Sequence, residues 1–242
     1  MARQSKSRTR KPGLLARAAN GLRRLFRWTL WGVAGCVALL VAWIGLYRFV
    51  DPPGGLYMWQ EYRRLGGIQH EWVSMDAIAP VMARSVVAAE DANFCRHWGF
   101  DMAAIRTALA EGSGRGASTI TQQVAKNVFL WQGRSWVRKA LEAFITPIVE
   151  ILWTKRRILE VYLNVAEFGE GVFGVQAAAR FHFNRDALDL DPRHAALLAA
   201  VLPAPQSRDA GDPTERIRRR ATAILDGAAT IAGDDRATCF QG

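Results

Sequence analysis

The sequence predicts a mainly α-helical protein: a helical domain behind one N-terminal membrane-spanning helix. Three observations carry that reading. An uncharged run of twenty residues, Trp28 to Tyr47, lies near the N-terminus. Beyond it, segment after segment spaces its apolar residues at the three-to-four-residue period of a helix. No clear alternating strand or hairpin pattern interrupts the series, apart from a weak one around residues 56–73.

As a helix, the uncharged run would reach roughly 30 Å, the thickness of a bilayer's hydrocarbon core. Trp28, Trp31, Trp43 and Tyr47 stand towards its ends, where aromatic rings settle at the membrane interface. A cleavable leader would have a shorter apolar region of roughly 7–15 residues, followed by a small-x-small site. Here Leu46-Tyr-Arg-Phe-Val-Asp-Pro-Pro53 follows instead, so an uncleaved signal anchor over residues 28–48 is expected.

The net charge of +10 and pI near 10.2 suggest a nucleic-acid binder until their distribution is read. Residues 1–27 hold nine basic residues and no acid, and Arg48 supplies the tenth excess cation. From Asp51 onward, 22 basic residues balance 22 acidic ones. No cationic nucleic-acid surface is expected. The asymmetry instead predicts that the tail, residues 1–27, is cytoplasmic and that everything after the anchor lies on the outer side of the membrane. Leu14, Leu15, Ala18, Leu22, Leu25 and Phe26 recur among the basic residues, a pattern that fits an anionic leaflet or a solvated tail.

After the anchor, residues 49–69 read as a linker and membrane-proximal segment, opened by Asp51-Pro-Pro-Gly-Gly55. Residues 70–242 read as one domain, long enough for its own core. Ile78, Val81, Met82, Ser85, Val86 and Ala89 line a helix face, with Pro80 near its start. Asp101 caps a helix to about Glu111, and a glycine-rich loop spans Gly112 to Ala117. Ser118 or Thr119 then starts a helix to about Leu130. Ser135 starts a longer one through Trp153, with Leu141, Phe144, Ile145, Ile148 and Leu152 as its core stripe. Further helices are expected near 155–164, 173–182, 192–201 and 213–231. Cys95 and Cys239 lie far apart without a framework pattern, so no structural disulfide is expected. The spacing of the four histidines suggests no zinc site.

Four runs carry chemistry. In Glu90-Asp91-Ala-Asn-Phe94-Cys-Arg-His97-Trp-Gly99, two carboxylates close an apolar helix. Dry surroundings and a helix C-terminus both raise a carboxyl pKa, which suits acid–base work; the plainer reading is a solvated helix end. Gly116-Ala-Ser118-Thr119-Ile-Thr-Gln122-Gln123-Val-Ala-Lys126-Asn127 places hydroxyls and amides at a helix N-terminus, suited to an anion. It lacks the Gly-Lys-[Ser/Thr] ending of a nucleotide-binding loop. Arg138-Lys139-Ala-Leu-Glu142 is either a surface pairing or a cationic patch with a carboxylate beside it. Arg157-Ile-Leu-Glu160-Val-Tyr162-Leu-Asn164 leads into a turn with Gly169, Gly171 and Gly174, a scaffold as readily as a site.

In this order the four runs resemble the glycosyltransferase family 51 domain of bacterial cell-wall synthesis, over roughly residues 70–205. The matching motifs read E-D-x-x-F-x-x-H-x-G, G-x-S-T-x-T-Q-Q-x-x-K-N, R-K-x-x-E and R-I-L-E-x-Y-L-N followed by the glycine turn. Without the Ser-x-x-Lys and Lys-Thr-Gly transpeptidase signature, the monofunctional form is expected. The resemblance implies a lysozyme-like helical fold and inverting polymerisation of lipid II into β-1,4 glycan strands, with release of undecaprenyl pyrophosphate. By motif match, Glu90 is the base and Glu142 the second essential glutamate, organising the pyrophosphate end. Asp91, Phe94, His97, Ser118, Thr119, Gln122, Gln123, Lys126, Asn127, Arg138 and Lys139 match positions that bind substrate. No cofactor is obligatory, though the resemblance allows a divalent cation (Mg or Mn) on the pyrophosphate. The implied partners are lipid II, the growing lipid-linked glycan, the membrane and cell-division or elongation proteins. Pro147 departs from a regular helix between Glu142 and Glu150 and predicts a kink there. Two rival readings stay open: a lytic enzyme on a lysozyme-like fold, and a non-catalytic membrane scaffold.

Overall fold

The computed structural model describes residues 14–111, 118–133 and 135–241, with only the backbone for residues 14–20 and Glu111. The glycine-rich run Gly112–Ala117 and the first part of the basic tail lie outside the described residues. The chain divides into two compact units, Met1–Trp43 and Ile44–Gly242.

The first unit consists of most of α1 (Leu14–Leu46). Its stretch from Gly21 is long and apolar enough to cross a bilayer. Leu22, Leu25, Phe26, Trp28 and Trp31 are all exposed. A helix apolar on every side needs apolar surroundings.

The second unit is helical, with one small sheet. Its elements in chain order begin with α2 (Leu56–Leu65), β1 (Gln69–His70), α3 (Pro80–Glu90), α4 (Met102–Glu111) and α5 (Ile120–Phe129). Then come α6 (Trp136–Leu152), α7 (Lys155–Val165), β2 (Glu167–Gly169), β3 (Val172–Phe173) and α8 (Val175–Phe183). The chain closes with α9 (Pro192–Val201), α10 (Glu215–Gly233) and α11 (Thr238–Gln241). The expected mainly α class holds, and each helix expected between residues 78 and 231 is present.

Two helix groups position the site. In one, α3, α9 and α10 pack on each other; in the other, α5 lies against α6 and α7. The capping signals explain where these helices begin. Thr119 and Gln122 form a reciprocal capping box on α5. The Ser135 hydroxyl accepts the Arg138 N–H of α6, and Asp101 Oδ1 accepts the Ala104 N–H of α4 at 2.9 Å. Helix α7 is the central element: Ile158, Leu159, Val161, Tyr162 and Leu163 are all buried.

Four sequence expectations change. Residues 56–65 form helix α2 rather than a strand, and the sheet order is β1-β3-β2, with β3 parallel to β1 and antiparallel to β2. The 167–173 hairpin is buried on both faces, so it carries no alternation for a sequence pattern to detect. The buried face of α6 is Glu142, Ile145, Thr146, Val149 and Glu150, whereas Leu141 and Phe144 are exposed. Part of the expected apolar stripe thus turns outward while Ile145 stays buried, and the carboxylates point inward, towards their cations. Pro147, where a kink was expected, lies inside α6, which runs on through it to Leu152. It and Ala143, the residue whose carbonyl loses its partner, are both exposed, so water can satisfy that carbonyl.

The fourth change is Cys95 and Cys239, which form a disulfide. It ties the short turn after α3 to α11, where Phe94 meets Phe240 at 6.3 Å between ring centres. The bond closes a loop between positions 144 residues apart. Sequence spacing cannot reveal such a bond, because the pairing depends on the tertiary fold. Replacing both cysteines with serine should lower stability by about 2–5 kcal/mol. Thermal unfolding in detergent checks this: reductant should lower the wild-type midpoint and leave that of the double variant unchanged.

Candidate active site

The site is built on the junction of α3 and α5. Glu90 ends α3, and its Oε2 accepts a hydrogen bond from Gln123 Nε2 at 3.0 Å. The Tyr162 hydroxyl donates to the other end of that amide, Oε1, at 3.3 Å. This fixes which end of Gln123 faces the carboxylate. Burial pushes the Glu90 pKa up. Gln123, Arg220 and Lys126 pull it partly back, while the neighbouring Asp91 pushes it further up.

The rest of the first motif holds α5 in place. Asp91 is buried; Oδ2 accepts the Ile120 N–H at 3.0 Å and Oδ1 meets His97 Nε2 at 2.8 Å. The Thr119 hydroxyl donates to the Gly99 carbonyl at 2.6 Å. Gly99 has φ +85°, and a Cβ there would lie 2.5 Å from Thr146 Cγ2, so the motif requires glycine. Phe94 is fully buried, with the Lys155 ammonium 4.4 Å from its ring centre.

Asp91, Phe94, His97, Thr119 and Gln122 were expected to touch substrate. They also make internal contacts, Asp91 with His97 and Ile120 and Thr119 with Gly99 and Gln122, while His97 Nδ1 is buried with no hydrogen-bond partner among the described residues. They orient the helix that carries the site.

One face of α5 presents Gln123, Lys126 and Asn127, at the i, i+3, i+4 spacing of neighbours. Lys126 has no carboxylate within 4 Å among the described residues, and burial lowers its pKa against the opposing pull of Glu142. Glu142 is buried, with Arg138 Nη1 2.9 Å from Oε2 and Lys139 Nζ on Oε1. Lys139 also donates to the Ser118 hydroxyl at 3.3 Å. Lys126 feels the charges of Glu142, Arg138, Lys139 and Glu90, so it links the base to the cationic cluster. Three cations surround one carboxylate, which leaves positive charge for an anionic ligand.

A cavity of about 310 Å³ opens on this face, lined by Gln123, Lys126, Asn127, Gln132, Tyr162, Tyr57 and Glu167 among others. Glu167 accepts from the Tyr57 hydroxyl at 2.6 Å and from the Gly171 N–H at 3.2 Å. Burial and Glu167 both push the Tyr57 pKa up, so the phenol stays protonated. Gln206 donates to the Tyr57 oxygen at 3.0 Å. Sequence reasoning missed Tyr57, Gln132, Gln206 and Arg220 beside this cavity and the base candidate, and left the run holding Tyr162 and Glu167 open as a scaffold or a site. Their spacing carries no signal, because each comes from a different segment.

Glu150 and Glu142 are both buried on α6 but differ in surroundings. Glu150 Oε1 accepts from Thr121 at 2.6 Å and pairs with Lys155 at 2.8 Å, a closed internal bridge. The described residues therefore bring a carboxylate in a dry setting, Glu90, beside a cationic cluster along α5.

Residues 59–229 match the transglycosylase family. A protein of Jannaschia sp. (strain CCS1), described as a biosynthetic peptidoglycan transglycosylase, is 60% identical over 99% of this chain and 98% of its own length. A Pseudomonas aeruginosa protein of the same description is 48% identical over 88% of this chain and 94% of its own length. A third, from Yersinia pseudotuberculosis, is 49% identical over 85% of this chain and 90% of its own length. With the match spanning most of the helical unit and these relatives aligned nearly end to end, the chain belongs to the transglycosylase family.

Proposed function

We propose that this chain is a peptidoglycan glycosyltransferase that polymerises lipid II, with Glu90 as the general base. The observation that carries the assignment is a buried carboxylate, oriented by Gln123, on the same α5 face as a surplus of cations. The 4-hydroxyl of the incoming lipid II gives its proton to Glu90 as its oxygen attacks C1 of the growing strand. The C1–O bond to the pyrophosphate breaks from the opposite face, and the electron pair leaves with undecaprenyl pyrophosphate. Lys126, Arg138 and Lys139 stabilise that leaving charge, with Glu142 holding the last two in position. Ser118 and Asn127 stand beside these cations as substrate contacts.

A divalent cation fits this donor set poorly on the protein side, because both Glu142 oxygens already engage cations. Among the described residues no cluster of three acidic, histidine or cysteine side chains exists. A metal would ride on the pyrophosphate itself, and no step here runs through one.

The apolar helix supports anchoring in the membrane, and the basic tail supports a cytoplasmic N-terminus. The Cys95–Cys239 disulfide independently supports a catalytic domain on the oxidising, outer side of the plasma membrane. Tethering beside a bilayer-confined substrate raises the effective concentration of both. Proteins of the division or elongation machinery are the proposed partners.

Purified full-length protein given lipid II should form glycan polymer, and Glu90→Gln should abolish polymerisation. Release of fragments from finished murein without polymer from lipid II would overturn the assignment. Because burial raises the Glu90 pKa, the ionised base is lost as pH falls through a value above the ordinary carboxylate range. The acid limb of the rate profile should lie there. In the same direction, the buried charge costs stability at pH values above that limb, so Glu90→Gln should not lower the unfolding midpoint at neutral pH.

Glu142→Gln should leave Arg138 and Lys139 without their anchor. A loss of about a hundredfold in kcat is expected, the scale of losing positioned donors to developing charge. Steady-state kinetics on lipid II read it.

A further inference from the structure

Helix α10 supplies a charge to the base that none of the four motifs contains. Arg220 Nη2 lies 3.7 Å from Glu90 Oε1, on the side opposite the Gln123 bond to Oε2. Its register is set by close packing. Gly227, two turns further along α10, faces Ala88, where an added Cβ would come within 3.1 Å of the alanine methyl. The stripe Ile217, Ala221, Ile224, Ala228 and Ile231 buries the same side of the helix. Arg220 borders that stripe, so its half-exposed side chain reaches over the end of α3 towards Glu90.

The guanidinium itself is unusual. Its Nε is buried with no hydrogen-bond partner among the described residues, and an unsatisfied buried donor calls for a functional explanation. A second arginine, Arg208, sits in the field of Arg220, Arg216 and Glu90, with Nη1 on the Ala200 carbonyl at 2.9 Å. Cations crowd together here around one carboxylate, an arrangement that is favourable only while that carboxylate is charged.

We propose that Arg220 is a positioning residue for glycosyl transfer: it holds Glu90 in its ionised form and, with Gln123, in a single orientation. This rests on Glu90 being the base. The groups facing Glu90 are Asp91 beside it, Gln123 and Lys126 from α5, Tyr162 from α7, Arg220 from α10 and Arg208 from the segment before it. Of the cations, only Arg220 lies within 4 Å of the carboxylate among the described residues. When Glu90 takes the proton from the acceptor hydroxyl its charge is lost and Arg220 is left without a counter-charge, and release of that proton restores the ion pair for the next cycle.

The test is the pH–rate profile of lipid II polymerisation by full-length protein in detergent. It compares wild type, Arg220→Gln and Arg220→Lys, with unfolding midpoints taken at each pH. Removing a cation this close to a carboxylate should cut kcat at the acid end by about tenfold or more, and leave it within about twofold at the alkaline end. KM for lipid II should stay near the wild-type value. Lysine, with a shorter reach and a mobile stem, should move the acid limb the same way by less. Should Arg220→Gln fail to fold, the Arg220→Lys profile decides. A uniform loss at every pH, a changed KM alone, or an unmoved acid limb would overturn the proposal. Activity retained by Glu90→Gln would instead overturn the base assignment on which it rests.

Discussion

The position of α5's first turn governs the site. Asp91 accepts the Ile120 N–H, Gly99 accepts the Thr119 hydroxyl, and the capping box closes between Thr119 and Gln122. Each of these bonds satisfies a group that a helix start or a buried loop would otherwise leave unpaired. Together they lock α5 to the segment that directly follows Glu90. Because Gln123, Lys126 and Asn127 lie on the next turn, their placement relative to the base follows from that lock. The conformation at Gly99 is part of the same constraint, since a side chain there would push α6 away.

The two essential-looking carboxylates have been given opposite environments. Glu90 has one amide donor, one cation at a distance and a dry wall behind it. Glu142 has two cations in direct contact. A carboxylate in the first setting is suited to taking a proton, and one in the second is suited to holding its two cations in place. Environments that separate two acids in this way assign their roles. Glu150 shows the contrast within the same helix: its bridge to Lys155 and Thr121 faces the interior and leaves nothing for a ligand.

Much of this was legible in the sequence, and the illegible part follows a rule. Thr119, Ser135 and Asp101 were readable as caps because capping is local: a side chain and a backbone N–H within three residues. Glu90, Lys126, Arg138 and Glu142 were readable as chemistry because their motifs occur in series. The direction in which a motif residue points was not readable. Asp91, in the same motif as Glu90, is tied to His97 and to the start of α5, and Leu141 and Phe144 turn outward from a helix whose apolar stripe suggested the opposite. Cys95 with Cys239, Tyr57 with Glu167, and Arg220 with Glu90 all join distant segments. No spacing rule reaches across those separations. Arg220 also sits in a run of arginines whose pattern fits an ordinary solvated helix face.

Charge accounting at two scales explains how a neutral domain handles a polyanionic lipid. Summed over the chain after Asp51, cations and acids cancel at 22 each, so the domain has no global field to draw anionic lipid to arbitrary places on its surface. At the site the balance is local and unequal, with Lys126, Arg138 and Lys139 around Glu142 and Arg220 beside Glu90. Burial strengthens the charges of Lys126 and Arg138, since fewer water dipoles screen them, and it already weighs on Lys126 by lowering its pKa. An incoming pyrophosphate relieves that strain, because it supplies the negative charge the cluster lacks. Its departure restores the strain. In the proposed reaction the cluster would therefore bind phosphate most strongly when negative charge is greatest, as the C1–O bond breaks, which is the moment at which stabilisation accelerates a transfer.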